Sequence, residues 1–222
     1  MITRPNFDLA ATKALEILIE KNITETPVDP MRILKDYPGV RIIPFTKMAD
    51  EIEKEREDLV PMFYTNQDAA TFHLSEKMDD ISYIVVYNMR LPIEIIHRAI
   101  ARELGHIVLG HNGTVRTPKV RMAEAMCFAH HLLSPRPVVN MLQKSGMPFT
   151  MNVMTATLGC SDECVDDLQM IPGVNVSPEL NAKVRDLFAP HIKEYINFHK
   201  ASPKKDKSPV LDLGTYMDNY EE

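Results

Sequence analysis

In the stretch AIARELGHIVLGH, residues 99–111, Glu103 and His106 stand three apart, with Arg102 directly before them. Two histidines four apart on a helix lie about 40° apart on one face and can grip one zinc ion. A glutamate beside the first of them then takes a proton from the zinc-bound water, whose pKa the metal lowers to about 7. This chain keeps the glutamate and the second histidine but has Arg102 where the first histidine would stand. A guanidinium stays protonated and offers only donors, so it cannot ligate a cation. Taken alone, RELGH is an ordinary piece of helix with one glutamate and one histidine.

The elements that must position these residues are legible around them. Phe7, Ala11, Ala14, Leu15, Leu18 and Ile19 recur three or four apart and predict a first helix from Phe7 to about Lys21. Asp29 reads as an N-cap and Pro30 as a first helical residue, with Pro38 and Gly39 ending a short second helix. VRIIPFT, LVPMFYT, ATFHLS and ISYIVVYN read as short strands, and the charged KMADEIEKERED among them as a helical or loose solvated excursion. Pro92 opens the helix that carries the glutamate and histidine, with Ile95, Ile96, Ala99, Ile100, Leu104, Ile107 and Val108 as its apolar stripe. A loop leads to a second apolar helix, VRMAEAMCFAHHLLS, stopped by Pro135 and Pro137. Beyond it the chain is expected to be mostly helical to about residue 200, and residues 201–222 to form a polar, flexible tail.

YIVVYN, then IARELGHIVLGH, then AEAMCFAHHLLSP closely resembles the ImmA/IrrE family of zinc metallopeptidases. The family pattern is A-H-E-L-G-H-x-x-L-G-H followed by a helix E-x-x-A-N-x-F-A-x-x-L-L-x-P, and PVDPMRIL resembles its entry segment. The likeness covers roughly residues 7–140. It implies a zincin-like core and a regulator of the kind found on mobile elements, prophages included, whose members cleave a partner transcriptional repressor. Carried onto this sequence, Glu103 takes the catalytic glutamate position and His106 the second histidine ligand. Arg102 takes the first ligand position, Met122 falls on the third, a glutamate, and Met126 stands where the pattern has asparagine. Methionine sulfur is a soft ligand, better suited to copper(I) than to zinc. His106 is thus the one inherited ligand, where a catalytic zinc ordinarily has three from the protein.

Substitute ligands for a rebuilt zinc site are Glu124, His111, His130 and His131. Glu124 lies two residues from Met122, about 200° around a helix, and is expected to face elsewhere. His130 and His131 point about 100° apart, so at most one is expected to face inward. Arg102 is expected to pair with a carboxylate, Glu103 or Glu124. Cys160 and Cys164 read as buried helix-face cysteines. The helix-turn-helix rhythm of TATLGCSDECVDDLQ carries Asp162, Glu163, Asp166 and Asp167, which repel phosphates.

The chain of 222 residues holds one good-sized domain or a domain with an appendage, and its net charge of −6 argues against bulk affinity for nucleic acid or anionic membrane. Three cysteines make no disulfide framework, and no apolar run approaches a membrane span, so a cytoplasmic protein is expected. The expected fold is α+β: a zincin-like core (1–140) with a mixed or antiparallel sheet of three or four strands packed on helices, and a helical C-terminal extension (141–200). The expected function is a catalytically impaired regulator that needs no cofactor and binds a partner protein, such as a repressor encoded nearby. The alternative is an active zinc endopeptidase that uses substitute ligands.

Overall fold

The computed structural model describes residues 2–53, 68–78, 80–113, 115–146, 150–159 and 173–201. The predicted strand LVPMFYT, the cysteines at 160 and 164, the acidic residues Asp162, Glu163, Asp166 and Asp167 and the tail 202–222 lie outside the described residues. Eight helices and three strands are formed by those residues, a mixed α and β fold. None of the helices among them is long and apolar enough to cross a membrane.

α1 (Phe7–Glu20) starts where the Asn6 side chain accepts from the Leu9 amide, and it buries Ala10, Ala11, Ala14, Leu15, Ile17 and Leu18. α2 (Pro30–Lys35) is capped as its sequence predicts, with the Asp29 carboxylate accepting from Met31 and Arg32. β1 (Val40–Pro44) passes straight into α3 (Phe45–Glu53), so the chain turns helical two residues earlier than VRIIPFT suggests. Phe45 is apolar and β-compatible, but it is buried beside Ile43 and Val86 as the first residue of the helix. β2 (Ala69–Met78) and β3 (Ile81–Tyr87) pair antiparallel, while β1 runs parallel to β3. The sheet order is β1-β3-β2, a mixed sheet with β2 at one edge among the described residues.

α4 (Ile93–Val108) packs on the sheet and on α5 (Pro118–Leu133). It buries Ile96, Ala99, Ile100, Leu104 and Ile107, each worth about 1.5–3 kcal/mol for the larger side chains. α5 is capped by the Thr117 hydroxyl, which accepts from Val120, and it is apolar nearly all round because α1 covers its other side. α6 (Arg136–Gln143), α7 (Met151–Leu158) and α8 (Pro178–Ala201) follow. One cluster of buried side chains runs from α1 through α4 and α5 to Val184, Phe188 and Ile192 of α8.

Gly105 sets the approach of α4 to α5. A Cβ there would meet Phe128 Cδ1 at 3.0 Å and the Ala125 carbonyl oxygen at 3.1 Å. Phe128 is fully buried and the carbonyl belongs to a helix, so neither can yield freely. Gly105→Val is therefore expected to destabilise the fold by about 3 kcal/mol or more, outweighing any gain in helix propensity. Urea denaturation measures this, and a neutral outcome would show that the two helices can separate without loss.

His130 and His131 correct one expectation from the sequence: both are buried, with ring centroids 5.2 Å apart and planes at 88°. Burial holds His131 at a pKa of about 4, with the Arg136 charge adding to the effect, and pushes His130 well below its ordinary value. The unfolded chain, with histidine near 6.5, binds more protons than the native state between those limits. Stability is therefore complete above about pH 7 and falls as pH drops from about 6.5 toward 4. His131 alone contributes about 3 kcal/mol to that loss. The slope of unfolding free energy against pH near 5.5 should correspond to two or more protons, roughly 2 kcal/mol or more per pH unit.

Candidate functional site

Arg102, Glu103 and His106 project from α4 into a cleft of about 540 Å3. The floor is the start of β2, with Ala69, Ala70 and Thr71, and the far wall is the first turns of α5, with Arg121 and Met122. Met122 is 43% exposed and faces this space, so the three positions Arg102, His106 and Met122 converge on one cleft. That convergence follows from α4 and α5 packing through Gly105.

Arg102 turns back on its neighbour. Its Nη2 and Nε donate to Glu103 Oε1 at 2.9 and 3.1 Å, and Nη2 also donates to the Ala69 carbonyl at 3.3 Å. The second carboxylate oxygen, Oε2, accepts from Thr71 Oγ1 at 2.7 Å. Both oxygens of Glu103 are thus committed, one to a fixed cation, and the residue is buried. A carboxylate so held is poorly placed to take a proton from water. Of the two carboxylates anticipated for Arg102, it is Glu103 that pairs.

Glu124 lies on the other side of α5, 2% exposed. Its Oε1 accepts from the Asn6 amide at 2.8 Å, and its Oε2 lies 3.0 Å from both Arg116 Nε and His111 Nε2. A carboxylate accepts only, so His111 carries its proton on Nε2 and its Nδ1 is an acceptor. That acceptor meets His106 Nδ1 at 2.9 Å, so the latter holds a proton and His106 Nε2 carries a lone pair. The tautomers are assigned from this network. Burial pushes His106 down to about 4, helped by His111, Arg102 and Arg121, and burial likewise lowers His111 against the pull of Glu124. Both rings are neutral at pH 7. A Glu–His–His chain of this kind is how proteins orient a metal-ligating imidazole from behind.

This chain orients the His106 imidazole in a cleft that lacks a set of metal ligands around it. Zinc would find one histidine nitrogen, a thioether and a guanidinium, and the last repels a cation. His111 has both ring nitrogens engaged, Glu124 is turned away, and neither His130 nor His131 lines the cleft. Among the described residues, no group of three His, Cys, Asp or Glu side chains is placed to hold a metal ion. The residues do not fit zinc. Comparison with protein-family models, with curated proteins and with solved structures returned no match.

Cys127 offers no alternative chemistry. Its Sγ lies 3.7 Å from His131 Nδ1, but that nitrogen donates to the Cys127 carbonyl at 2.9 Å. Burial pushes the thiol up to about 12, so no thiolate forms at neutral pH. Sequence reasoning missed Thr71, Arg116 and Arg121. Thr71 shares a strand face with Ala69 and His73, and only the pairing of β2 on β3 brings it under α4. Arg116 sits in a loop, and Arg121 donates to the His111 carbonyl at 3.2 Å across the α4–α5 turn.

Proposed function

We propose that this chain is a zincin-like relative of the ImmA/IrrE peptidases in which an internal ion pair replaces the metal, and that it binds a partner polypeptide without cutting it. The observation that carries the reading is the Arg102–Glu103 pair, 2.9 Å long, at the two positions where a peptidase needs a metal ligand and a free base. The motif order and the convergence of Arg102, His106 and Met122 support the family reading. The Glu124–His111–His106 chain supports descent from a working metal site. Zinc hydrolysis is disfavoured by donor chemistry.

The cleft suits an extended segment. Among the described residues β2 pairs on one side only, and Asp68 with Ala69, Ala70 and Thr71 lines the cleft, so a bound chain can add to the sheet through backbone hydrogen bonds. Met122 supplies an exposed apolar contact, and Ile2 and Val115, joined backbone to backbone, add more on the segment leading into α5. A repressor encoded beside this chain is the partner the family resemblance suggests, in the cytoplasm.

The test mixes the purified chain with that repressor in excess zinc, with binding followed by calorimetry and repressor mass by mass spectrometry. A complex with the repressor left intact is expected, and Met122→Asp should weaken it at least about tenfold by placing a charge in the apolar contact. Zinc-dependent cleavage lost in Glu103→Gln would instead establish an active peptidase with substitute ligands.

A further inference from the structure

Among the described residues, four charged side chains line the cleft: Asp68, Arg102, Glu103 and Arg121. Arg102 and Glu103 cancel each other through their ion pair. Arg121, half-buried in the first turns of α5, has no carboxylate partner among the described residues. Its one hydrogen bond there runs from Nη1 to the His111 carbonyl at 3.2 Å. Its Nε is buried and has no acceptor among them. Spending Nη1 in this way leaves the Nε–Nη2 edge of the guanidinium, whose two N–H bonds lie parallel and match the oxygens of a carboxylate. Arg102 grips Glu103 by the same edge. A buried donor left unpaired carries a desolvation cost that an arriving acceptor recovers.

The surroundings favour negative charge at this wall of the cleft. The first turn of α5 holds no acidic residue, so the positive end of a 16-residue helix is not offset by its own side chains, and Pro118 of that turn also lines the cleft. Burial lowers His106 and His111, and the Arg121 charge adds to the effect, so neither ring competes as a cation. His106 instead presents its Nε2 lone pair as an acceptor. Asp68, at the start of β2, makes no ion pair with Arg121, so the β2 side and the α5 side of the cleft carry opposite signs.

We propose that the segment bound in the cleft carries an aspartate or glutamate whose carboxylate docks on the Nε–Nη2 edge of Arg121, while a backbone N–H of the segment donates to His106 Nε2. The inference rests on the reading of the cleft as a groove for a partner polypeptide, and it adds the chemistry of the residue that selects the partner. Asp68 sets the direction, because an acid beside β2 meets like charge and one beside α5 does not. Met122, next to Arg121 and exposed, supplies apolar surface that shields the pair from water and salt. A basic segment would leave Arg121 Nε unpaired and add like charge to it.

The test pans the full chain against random peptides of about 12 residues, long enough to cross the cleft when extended. They are displayed with their C-termini fused, so that only side chains supply carboxylates, and the affinities of those selected are measured by fluorescence anisotropy. Each is expected to contain an acidic residue whose replacement by its amide weakens binding to the wild-type chain about tenfold. In Arg121→Gln the same replacement should cost less than about twofold, and Arg121→Lys, which keeps the charge, should retain most of the preference. The wild-type comparison does not depend on the variants folding. Peptides that bind in the cleft, as loss of binding in Met122→Asp shows, but need no acid would overturn this inference and leave the groove reading standing. So would an acid whose replacement costs as much in Arg121→Gln as in the wild type. Selection of no peptide, or binding untouched by Met122→Asp, would overturn both.

Discussion

The double variant Arg102→His with Met122→Glu is expected to bind zinc stoichiometrically, while each single change, which leaves two ligands where three are needed, is not. Both positions line the same cleft as His106, so the pair of changes converts one ligand into three. Taking about 3 kcal/mol per added ligand, affinity should rise on the order of ten-thousandfold. Two further effects act in the same direction. Removing Arg102 takes away a repelling charge and frees Glu103 Oε1 from its ion pair. The Glu124–His111–His106 chain already turns the His106 Nε2 lone pair away from His111. Met122 is exposed enough to accept a glutamate without strain. Zinc content after dialysis reads the result, and a double variant that stays metal-free would show that Met122 is not the lost ligand position.

The second large effect is structural. Glu124→Ala is expected to cost about 3–5 kcal/mol, because it strands the Asn6 amide and His111 Nε2 in a buried site and removes the carboxylate that Arg116 Nε faces. Glu124→Gln keeps an acceptor oxygen and should cost less. Urea denaturation separates the two variants. A loss below about 1 kcal/mol for the alanine variant would mean that Glu124 is not a keystone of the fold and would reopen its candidacy as a ligand.

Local signals in the sequence carried the helices well. The apolar spacing of α4, the cap at Asp29 and the proline stops after α5 all describe what forms. The consequence of two residues on a helix turn was also legible: Met122 faces the cleft and Glu124 does not. What the sequence could not show is long-range. Glu103 is committed by Thr71, some 32 residues earlier on an edge strand, and Glu124 by the Asn6 amide, 118 residues away. Neither partner carries a local mark. The pair His130 and His131 misled a simple helix-face argument because α5 is enclosed on nearly every side, so adjacent residues can both be interior. β1 gave way early to α3 for a similar reason, since burial of Phe45 is compatible with either conformation.

If an ion pair has replaced the metal, the cleft holds no zinc. Purified chain should be incubated with excess zinc, dialysed without chelator and assayed for zinc by elemental analysis beside His106→Ala. Far less than one zinc per chain is expected, with no difference between the two proteins. One zinc per chain, lost in His106→Ala, would contradict it and restore the peptidase.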